Sequence, residues 1–326
     1  MALIVLGVGM SHTPQMSMSS DHWAAYAAND ARFPLIWKRE TWEFDDLVAA
    51  RANEGIAEQV NDETWAAKYA QITAGIDQLA EALAEAAPDL VVVIGDDHHE
   101  IFTDDSMPTF AIYWGDTIEA FPPAEIWPTV APAAWALHGE APETYDCDAA
   151  MGEHLIADMN RRGFDVAHVK AQLEGKSAGH PFIAVRQRLM DRSVPPLPFV
   201  PVILNTYFPP NTPTPQRSWA FGEALGAAIA AYPTNQRVAI VASGGLSHFV
   251  IDEAIDQELF AALDSRDQTA IDQLDPVDYV SGTSESLCWL VAGGACAGLD
   301  FEILEYVAGY RTAAGTGTAM AAAVWR

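Results

Sequence analysis

Four short runs of apolar, mostly β-branched residues constrain the fold more than any other feature of this sequence. They are residues 3–8, 90–94, 200–204 and 238–242, and each is bounded by Gly, Pro, Asp or Ser. Runs of this length and composition are typical of strands that are buried on both faces of a sheet. A sheet of this kind needs covering layers on both sides.

The segment between the first two runs supplies one such layer. Within residues 64–86, apolar side chains recur at spacings of three and four and mark one helical face, at Tyr69, Ile72, Ile76, Leu79 and Leu83. A strand, a helix and a second strand in this order predict an α/β fold, with a largely parallel or mixed central sheet and helices on both faces. With 326 residues, 50% of them hydrophobic, and no internal repeat, the chain is expected to form a single domain over residues 1–326.

Two segments do not fit the sheet pattern. Residues 17–60 carry aromatic side chains among charged ones, namely Trp23, Phe33, Trp37, Trp42 and Phe44. Residues 121–142 are rich in Pro, contain Trp127 and Trp135, and are interpreted as a long ordered loop. Either segment could be a lid over a site. The alternative, that these aromatics only fill a secondary core, stays open at this point.

Charge and cysteine content exclude several classes of function. The formal net charge of −28 repels phosphate backbones, so nucleic acid is excluded as a partner. The three cysteines, Cys147, Cys288 and Cys296, have no CxxC spacing, so neither a disulfide framework nor a thiolate zinc site is indicated. The apolar stretch at residues 2–8 is far too short to span a bilayer. These features together favour a cytoplasmic protein without a membrane partner.

Histidines follow three of the four apolar runs. His12 comes after the first run, His98 and His99 after the second, and His248 after the fourth. Ligands of open α/β sheets bind at the carboxyl ends of the strands, so these imidazoles are expected to converge. The carboxylates nearby in sequence are Asp96, Asp97, Glu100, Asp252 and Glu253. Imidazole with carboxylate, and no thiolate, favours Fe(II), Mn(II) or Zn(II). No GxGxxG or GxxxxGK[ST] motif supports nucleotide binding.

These segments resemble a known enzyme family. Residues 9–14 read Gly-Met-Ser-His-Thr-Pro, residues 97–98 Asp-His, and residues 243–248 Ser-Gly-Gly-Leu-Ser-His, with Glu253 five residues later. Together they are similar to the class III extradiol ring-cleavage dioxygenases, above all the protocatechuate 4,5-dioxygenase catalytic subunit and gallate and 3-O-methylgallate dioxygenases. The similarity continues through residues 205–206, 284–289 and 309–317, and so spans nearly the whole chain.

The resemblance implies a function and a set of site residues. The family cleaves catechols with O2 at a non-haem Fe(II) ion held by two histidines and one glutamate, which by motif are His12, His98 and Glu253. It also implies an acid-base histidine, matched best by His180 in the Gly-His-Pro-Phe segment. Several relatives carry a further histidine after an Asn-Thr pair, whereas here Tyr207 follows Asn205-Thr206.

Tyr207 and His248 are therefore the remaining catalytic candidates of the proton relay. His248 is expected to lie beside the metal ligands without being one of them, as are His99 and Asp252. An imidazole that titrates near neutrality suits such acid-base work.

The substrate implied by the resemblance is a catecholic aromatic acid such as protocatechuate, gallate or 3-O-methylgallate, as in the breakdown of lignin-derived aromatics. Arg311 is the first candidate to bind the ring carboxylate, supported by Ser284 or Thr283, with Lys176 and Arg186 as alternative cations. Some relatives need a separate small subunit over the site. Because residues 17–60 are long enough to provide a cap, a self-contained homo-oligomer, in particular a dimer, is expected.

Two other functions compete with this one. A metal-dependent hydrolase on a similar sheet would use Zn(II) at the same three residues to activate water. A non-catalytic binding protein on the same fold would carry a degenerate site. Metal identity and the binding of a diol separate the three hypotheses.

Overall fold

The computed structural model describes residues 1–32 and 35–326, so Phe33 lies outside the described residues. The strands are β1 (Leu3–Met10), β2 (Leu35–Trp37), β3 (Glu40–Trp42), β4 (Leu90–Asp96), β5 (Phe110–Tyr113), β6 (Thr117–Ala120), β7 (Glu143–Asp146), β8 (Ala167–Val169), β9 (Phe199–Leu204), β10 (Arg237–Ser243), β11 (His248–Val250), β12 (Phe301–Tyr310) and β13 (Thr316–Trp325). The α-helices are α1 (Pro14–Ser17), α2 (Trp23–Ala27), α3 (Phe44–Ala50), α4 (Asp62–Ala86), α5 (Ala134–His138), α6 (Ala149–Arg161), α7 (His180–Leu189), α8 (Pro215–Ala231), α9 (Glu253–Ser265), α10 (Gln268–Gln273) and α11 (Leu287–Ala295).

The four apolar runs of the sequence form the centre of the main sheet, as predicted. This nine-stranded sheet has the order β11-β13-β1-β10-β4-β9-β5-β8, and β12 pairs with β13. The neighbours β1 and β10, β10 and β4, and β4 and β9 are parallel. The outer pairs of β13 with β1, β11 and β12 are antiparallel. The sheet is therefore mixed, and the α/β prediction is confirmed.

Side chains of β4 alternate between two cores, as the period of a strand requires. Val91 and Val93 pack in the core that contains the apolar face of α4. Val92 and Ile94 pack on the opposite face, in the core that contains α8 and α11. Helix α4 begins after Asn61, whose side-chain oxygen accepts a hydrogen bond from the Thr64 N–H at 2.9 Å. Both faces of the sheet are thus covered by helices.

The aromatic segment at residues 17–60 is divided between core and site. Trp23 is fully buried, and its indole N–H donates to the Gln15 carbonyl at 3.1 Å. Leu35, Trp37 and Leu47 form a small separate core that includes Val250. Trp23 therefore belongs to the main core on the α4 side of the sheet, whereas Trp37 fills a small secondary core. Other residues of the same segment line the cavities described below.

The packing of α8 against α11 depends on a glycine at the contact. A Cβ at Gly222 would come much closer to the backbone of Val291 in α11 than van der Waals contact allows, and its carbonyl oxygen and Cα cannot easily move away. Gly222→Ala is expected to lower the free energy of unfolding by about 1–3 kcal/mol, the usual cost of overpacking. Gly298→Ala is the matched control, because nothing lies within 4 Å of its added Cβ. Urea unfolding of both variants checks this, and equal midpoints would contradict it.

In the described part of the chain, no helix is long and apolar enough to cross a membrane. Cys147, Cys288 and Cys296 are free thiols.

Candidate metal centre

Strand ends bring the first predicted residues together. Because β1, β10 and β4 are adjacent and parallel, the residues that follow them meet at one edge of the sheet. His12 Nε2 lies 3.8 Å from Asp96 Oδ1, and His98 Nε2 lies 2.8 Å from Asp96 Oδ2. The predicted convergence of His12 and His98 is therefore present, with the last residue of β4 between them.

The loop that carries His98 is held by its neighbour Asp97. This buried carboxylate accepts hydrogen bonds from the N–H groups of Glu100, Ile101 and Phe102 at 2.8 to 3.1 Å. Burial raises the pKa of Asp97, and the hydrogen bonds from the Ile101 and Phe102 N–H groups oppose the rise. Asp97 thus fixes the turn from which both His98 and Glu100 project.

A glutamate far along the chain completes the group. Glu285 belongs to the 3-10 helix Ser281–Ser286, directly before α11. Its Oε2 lies 3.2 Å from His12 Nε2, and its Oε1 lies 3.7 Å from His98 Nε2. The Gly245 N–H donates to Oε2 at 2.8 Å. Burial would raise the pKa of Glu285, but His248 and His12 hold it well below its usual range, so the group is a carboxylate.

The structure corrects the choice of Glu253 as the third member of this group. Glu253 is exposed at the first position of α9, and its Oε1 accepts a hydrogen bond from the Tyr310 hydroxyl at 2.6 Å. The Asp252 side chain caps the same helix by accepting from the Ala254 N–H. Because α9 begins here, its first side chain leaves toward solvent. The carboxylates beside His12 and His98 are Asp96 and Glu285.

Sequence reasoning did not assign a role to Glu285, although residues 284–289 were part of the resemblance. One signal was present in the sequence. Glu285 lies two residues before a wholly apolar helix, whose residues 287–295 are all buried. A charge held at the start of such a helix is costly unless it is paired. It was therefore a candidate for a buried site.

The donor set has the character of a cation site. Both oxygens of Asp96 are buried, and imidazole nitrogens of the same cluster lie beside them, His98 Nε2 at 2.8 Å from Oδ2 and His12 Nε2 at 3.8 Å from Oδ1. One ligand atom each from Asp96, His98 and Glu285 lie within 4.8 Å of one another, as do those of His12, Asp96 and His180. A buried carboxylate is costly unless a positive charge lies beside it, and a metal ion or a protonated imidazole can supply that charge. The residues present therefore fit a metal ion.

The hydrogen bonds of the His12 ring also fit a metal-binding role. The Ser243 hydroxyl donates to the Pro181 carbonyl at 2.8 Å, so it accepts from His12 Nδ1 at 3.1 Å. His12 Nδ1 is thus engaged by Ser243, and Nε2 is the nitrogen that faces Asp96 and Glu285. An outer partner that fixes the ring in this way is the usual arrangement for a metal-binding histidine.

The negative field at this point is strong. Burial would lower the pKa of His98, but Asp96 and Glu285 together raise it to about 10. The same negative charge attracts any cation that can reach the group His12, Asp96, His98 and Glu285.

His180 lies beside this group and is held by Glu100. Its Nδ1 lies 2.8 Å from Glu100 Oε2, its backbone N–H donates to Oε1 at 2.9 Å, and its Nε2 lies 3.1 Å from His12 Nε2. Burial lowers the pKa of His180, but Glu100 outweighs burial and raises it. Burial raises the pKa of Glu100, but His180 outweighs it and lowers it to about 2. Glu100 therefore orients His180 with Nε2 toward the site.

The other predicted histidines have distinct places. His248 Nδ1 donates to the Leu246 carbonyl at 2.7 Å, and its Nε2 lies 3.2 Å from Glu285 Oε1. His99 turns away, stacks on Phe208 with ring centroids 4.0 Å apart, and lies 3.0 Å from Asp104. The Tyr207 ring stands edge-on to His98 with centroids 4.9 Å apart.

The three residues expected to bind a ring carboxylate are not gathered together. Arg311 borders the site, but Asp30 and Gln15 engage its guanidinium. The Ser284 hydroxyl donates to the Ser281 carbonyl at 2.6 Å. Thr283 lines a different, small pocket behind His248. Of the three, Arg311 alone faces the cavity that contains His12.

That cavity has a volume of about 350 Å³ and opens beside the carboxylate and imidazole cluster. Its described lining residues are His12, Thr13, Pro14, Tyr26, His98, Glu100, Leu137, His138, His180, His248, Phe249, Glu285, Arg311 and Thr318. It is a suitable size for a small aromatic molecule. Both apolar and acid-base groups face it.

Comparison with known proteins gives two findings. Residues 55–321 match the family described as "Catalytic LigB subunit of aromatic ring-opening dioxygenase". The curated relatives include 2,3-dihydroxyphenylpropionate/2,3-dihydroxicinnamic acid 1,2-dioxygenases. The protein from Comamonas testosteroni is 29% identical over 167 residues, which cover 51% of this chain and 45% of the relative. The protein from Rhodococcus jostii (strain RHA1) is 30% identical over 179 residues, covering 54% and 49%. The chain spans about half the length of the curated relatives it matches.

Proposed function

The chain belongs to the family of catalytic LigB subunits of aromatic ring-opening dioxygenases, and from this membership we propose that it opens a catechol ring beside the two hydroxyl groups with O2. One observation carries the proposal. His12, His98 and Glu285 come from three distant segments and converge on a cavity that also contains an oriented acid-base histidine. This constellation provides both a metal site and a proton acceptor for a diol.

We assign His12, His98 and Glu285 as the residues that hold Fe(II), with Asp96 adding negative charge beside them. A ferrous ion held by two imidazoles and one carboxylate would act as a Lewis acid for the diol and would activate O2. His12 is oriented for this role by Ser243, and Glu285 by the Gly245 N–H. His248 lies beside Glu285 and balances its charge.

His180 is the proposed acid-base residue. Its Nδ1 is engaged by Glu100, so Nε2 is the nitrogen that faces the cavity and can accept a proton from a catechol hydroxyl. The proton held at Nε2 is then available to be returned to an oxygen of the opening ring. Tyr207 stands beside His98 where relatives carry a further histidine, and we propose that its hydroxyl supplies a hydrogen bond there.

Residues 17–60 are proposed to cover the bound catechol in part. Tyr26 lines the site cavity, and Tyr26, Asn29, Asp30 and Leu35 line a second cavity beside it. A cover from the same chain would exclude water from the diol. A dimeric state of the protein remains an expectation from the sequence.

Anaerobic binding of a nitrocatechol tests the proposal. Protein loaded with Fe(II) is expected to shift the absorption band of the nitrocatechol, and removal of iron with a chelator is expected to abolish the shift. His99→Ala is expected to retain both iron and the shift, because His99 stacks on Phe208 away from the cluster. Loss of iron from His99→Ala, or an unshifted band with the iron-loaded protein, would contradict the proposal.

A further inference from the structure

A second cavity lies beside the site and is larger than it. Its volume is about 610 Å³, against about 350 Å³ for the cavity with the histidines. Tyr26, Phe249 and Arg311 line both cavities, so the two share a wall. We call the larger one the outer cavity. The site cavity alone has room for a small aromatic ring, so the outer cavity is available to a substituent on that ring.

Apolar and aromatic side chains dominate the outer cavity. They are Tyr26, Leu35, Trp127, Val130, Tyr207 and Phe249. Trp127 is 68% exposed and Phe249 is 43% exposed, although both are large apolar residues. Aromatic surface left in water at the wall of a cavity gains free energy when an apolar group covers it. The lining therefore suits an apolar occupant.

Phe249 is fixed at the boundary of the two cavities. It has a φ of 59°, which is uncommon for a residue with a bulky side chain. Its place in β11 opposite Gly317 of β13 maintains this conformation. A backbone held in this way at the edge of a site indicates that the position of the side chain matters.

Positive charge in the outer cavity is already neutralised. Arg311 is the only Lys or Arg among the described residues that line either cavity. Its Nε and Nη2 each donate to Asp30 at 3.0 Å, its Nη1 donates to Gln15 at 2.7 Å, and it lies over the Tyr26 ring. The side chain is 4% exposed. A carboxylate on a substrate would have to compete with Asp30 for this guanidinium.

The alternative cations are also engaged elsewhere. Lys176 donates to the His99 carbonyl at 2.7 Å, and Arg186 is paired with Glu143 at 2.8 Å. Glu100 and Glu285 face the site cavity itself. An anionic substituent in the outer cavity would therefore meet a guanidinium that is already paired with Asp30, with two further carboxylates in the adjoining site cavity, which disfavours it.

From these observations we propose that the outer cavity receives an uncharged aryl or alkyl substituent on the catechol, so that the preferred substrate is a catechol with a bulky neutral group and not a catecholic acid. This inference rests on the proposed function, because the diol is taken to lie at His12, His98 and Glu285. It replaces the expectation that Arg311 recognises a ring carboxylate.

The test compares kcat/KM for three compounds on the iron-loaded protein: catechol, a catechol with a phenyl group beside the diol, and protocatechuate. The phenyl compound is expected to exceed each of the other two by about tenfold or more, the scale of discrimination by an apolar pocket. If protocatechuate is preferred, the inference is overturned while the ring-cleavage function stands. If no compound consumes O2 although iron is retained, the proposed function itself fails.

Variants of Trp127 and Asp30 test whether the outer cavity determines the substrate preference. Trp127→Ala is expected to lower the ratio of kcat/KM for the phenyl compound over catechol by about tenfold. Leu173→Ala is the matched control, because Leu173 is 61% exposed and lines a different pocket. Asp30→Asn, which releases the charge of Arg311, is expected to raise relative activity on protocatechuate. An unchanged ratio in Trp127→Ala, or no gain on protocatechuate in Asp30→Asn, overturns the inference.

Discussion

Glu285→Gln is expected to lose its iron, whereas Glu253→Gln keeps it. The loss should exceed the roughly 10- to 100-fold reduction in metal affinity that follows removal of an outer partner, because Glu285 is assigned as a direct ligand. Glu285 lies within 3.7 Å of both His12 and His98, while Glu253 is exposed and bonded to Tyr310. Iron content of the two purified variants after anaerobic loading gives the result.

The two substitutions form a matched pair, since each replaces one glutamate by its amide. Gln at position 285 keeps an oxygen that can accept from the Gly245 N–H, so the loop should stay in place. Near-ultraviolet circular dichroism of Glu285→Gln checks that the fold is retained. Iron lost from Glu253→Gln and kept by Glu285→Gln would restore the glutamate chosen from the sequence motif.

His180→Gln is expected to keep iron and bind substrate, yet to lose on the order of 100-fold or more in turnover, the usual scale for general acid-base catalysis. Its Nε2 faces the cavity, and its Nδ1 is 2.8 Å from Glu100. As a base, His180 must be neutral, so activity should rise with pH through its pKa. That acidic limb of the pH-rate profile is expected to flatten in the variant.

Glu100→Gln provides the control for this assignment. Glu100 raises the pKa of His180, so removal of its charge lowers that pKa. The acidic limb should therefore move to lower pH in Glu100→Gln and should not disappear. An unchanged profile in both variants, with near-normal turnover in His180→Gln, would show that His180 is structural.

Much of the fold could be predicted because it depends on local patterns. Runs of β-branched residues mark β1, β4, β9 and β10, and the spacing of Ile72, Ile76, Leu79 and Leu83 marks α4. The antiparallel pairs that β13 makes with β1, β11 and β12 were not predicted. Strand pairing over such distances depends on tertiary packing, which the sequence period does not encode.

The candidate site was predictable where it follows the strand ends and not elsewhere. His12 and His98 follow central parallel strands, so topology alone places them together. The glutamate comes from a 3-10 helix, and no strand rule indicates its direction. Glu253 lies close to His248 in sequence, but it is the first residue of α9 and its side chain is exposed to solvent. Sequence proximity was thus a poor guide to spatial proximity.

The ion pair that Arg311 makes with Asp30 could not be predicted from the sequence either. Its identity suggests an anion site, yet Asp30, 281 residues away, occupies its guanidinium. A pairing of that separation becomes visible only when the chain is folded. The residue type alone therefore suggests a catecholic acid as substrate, whereas the contacts of Arg311 favour a catechol with a neutral substituent.

Labelled O2 shows directly whether the protein opens a catechol ring with both oxygen atoms of O2. Iron-loaded protein is supplied with a catechol and isotopically labelled O2, and the products are analysed by mass spectrometry together with oxygen uptake. A ring-opening dioxygenase is expected to consume one O2 for each catechol and to give a ring-opened product that contains both labelled atoms. Catechol that is left intact, or a ring-opened product that carries no label from O2, would contradict it.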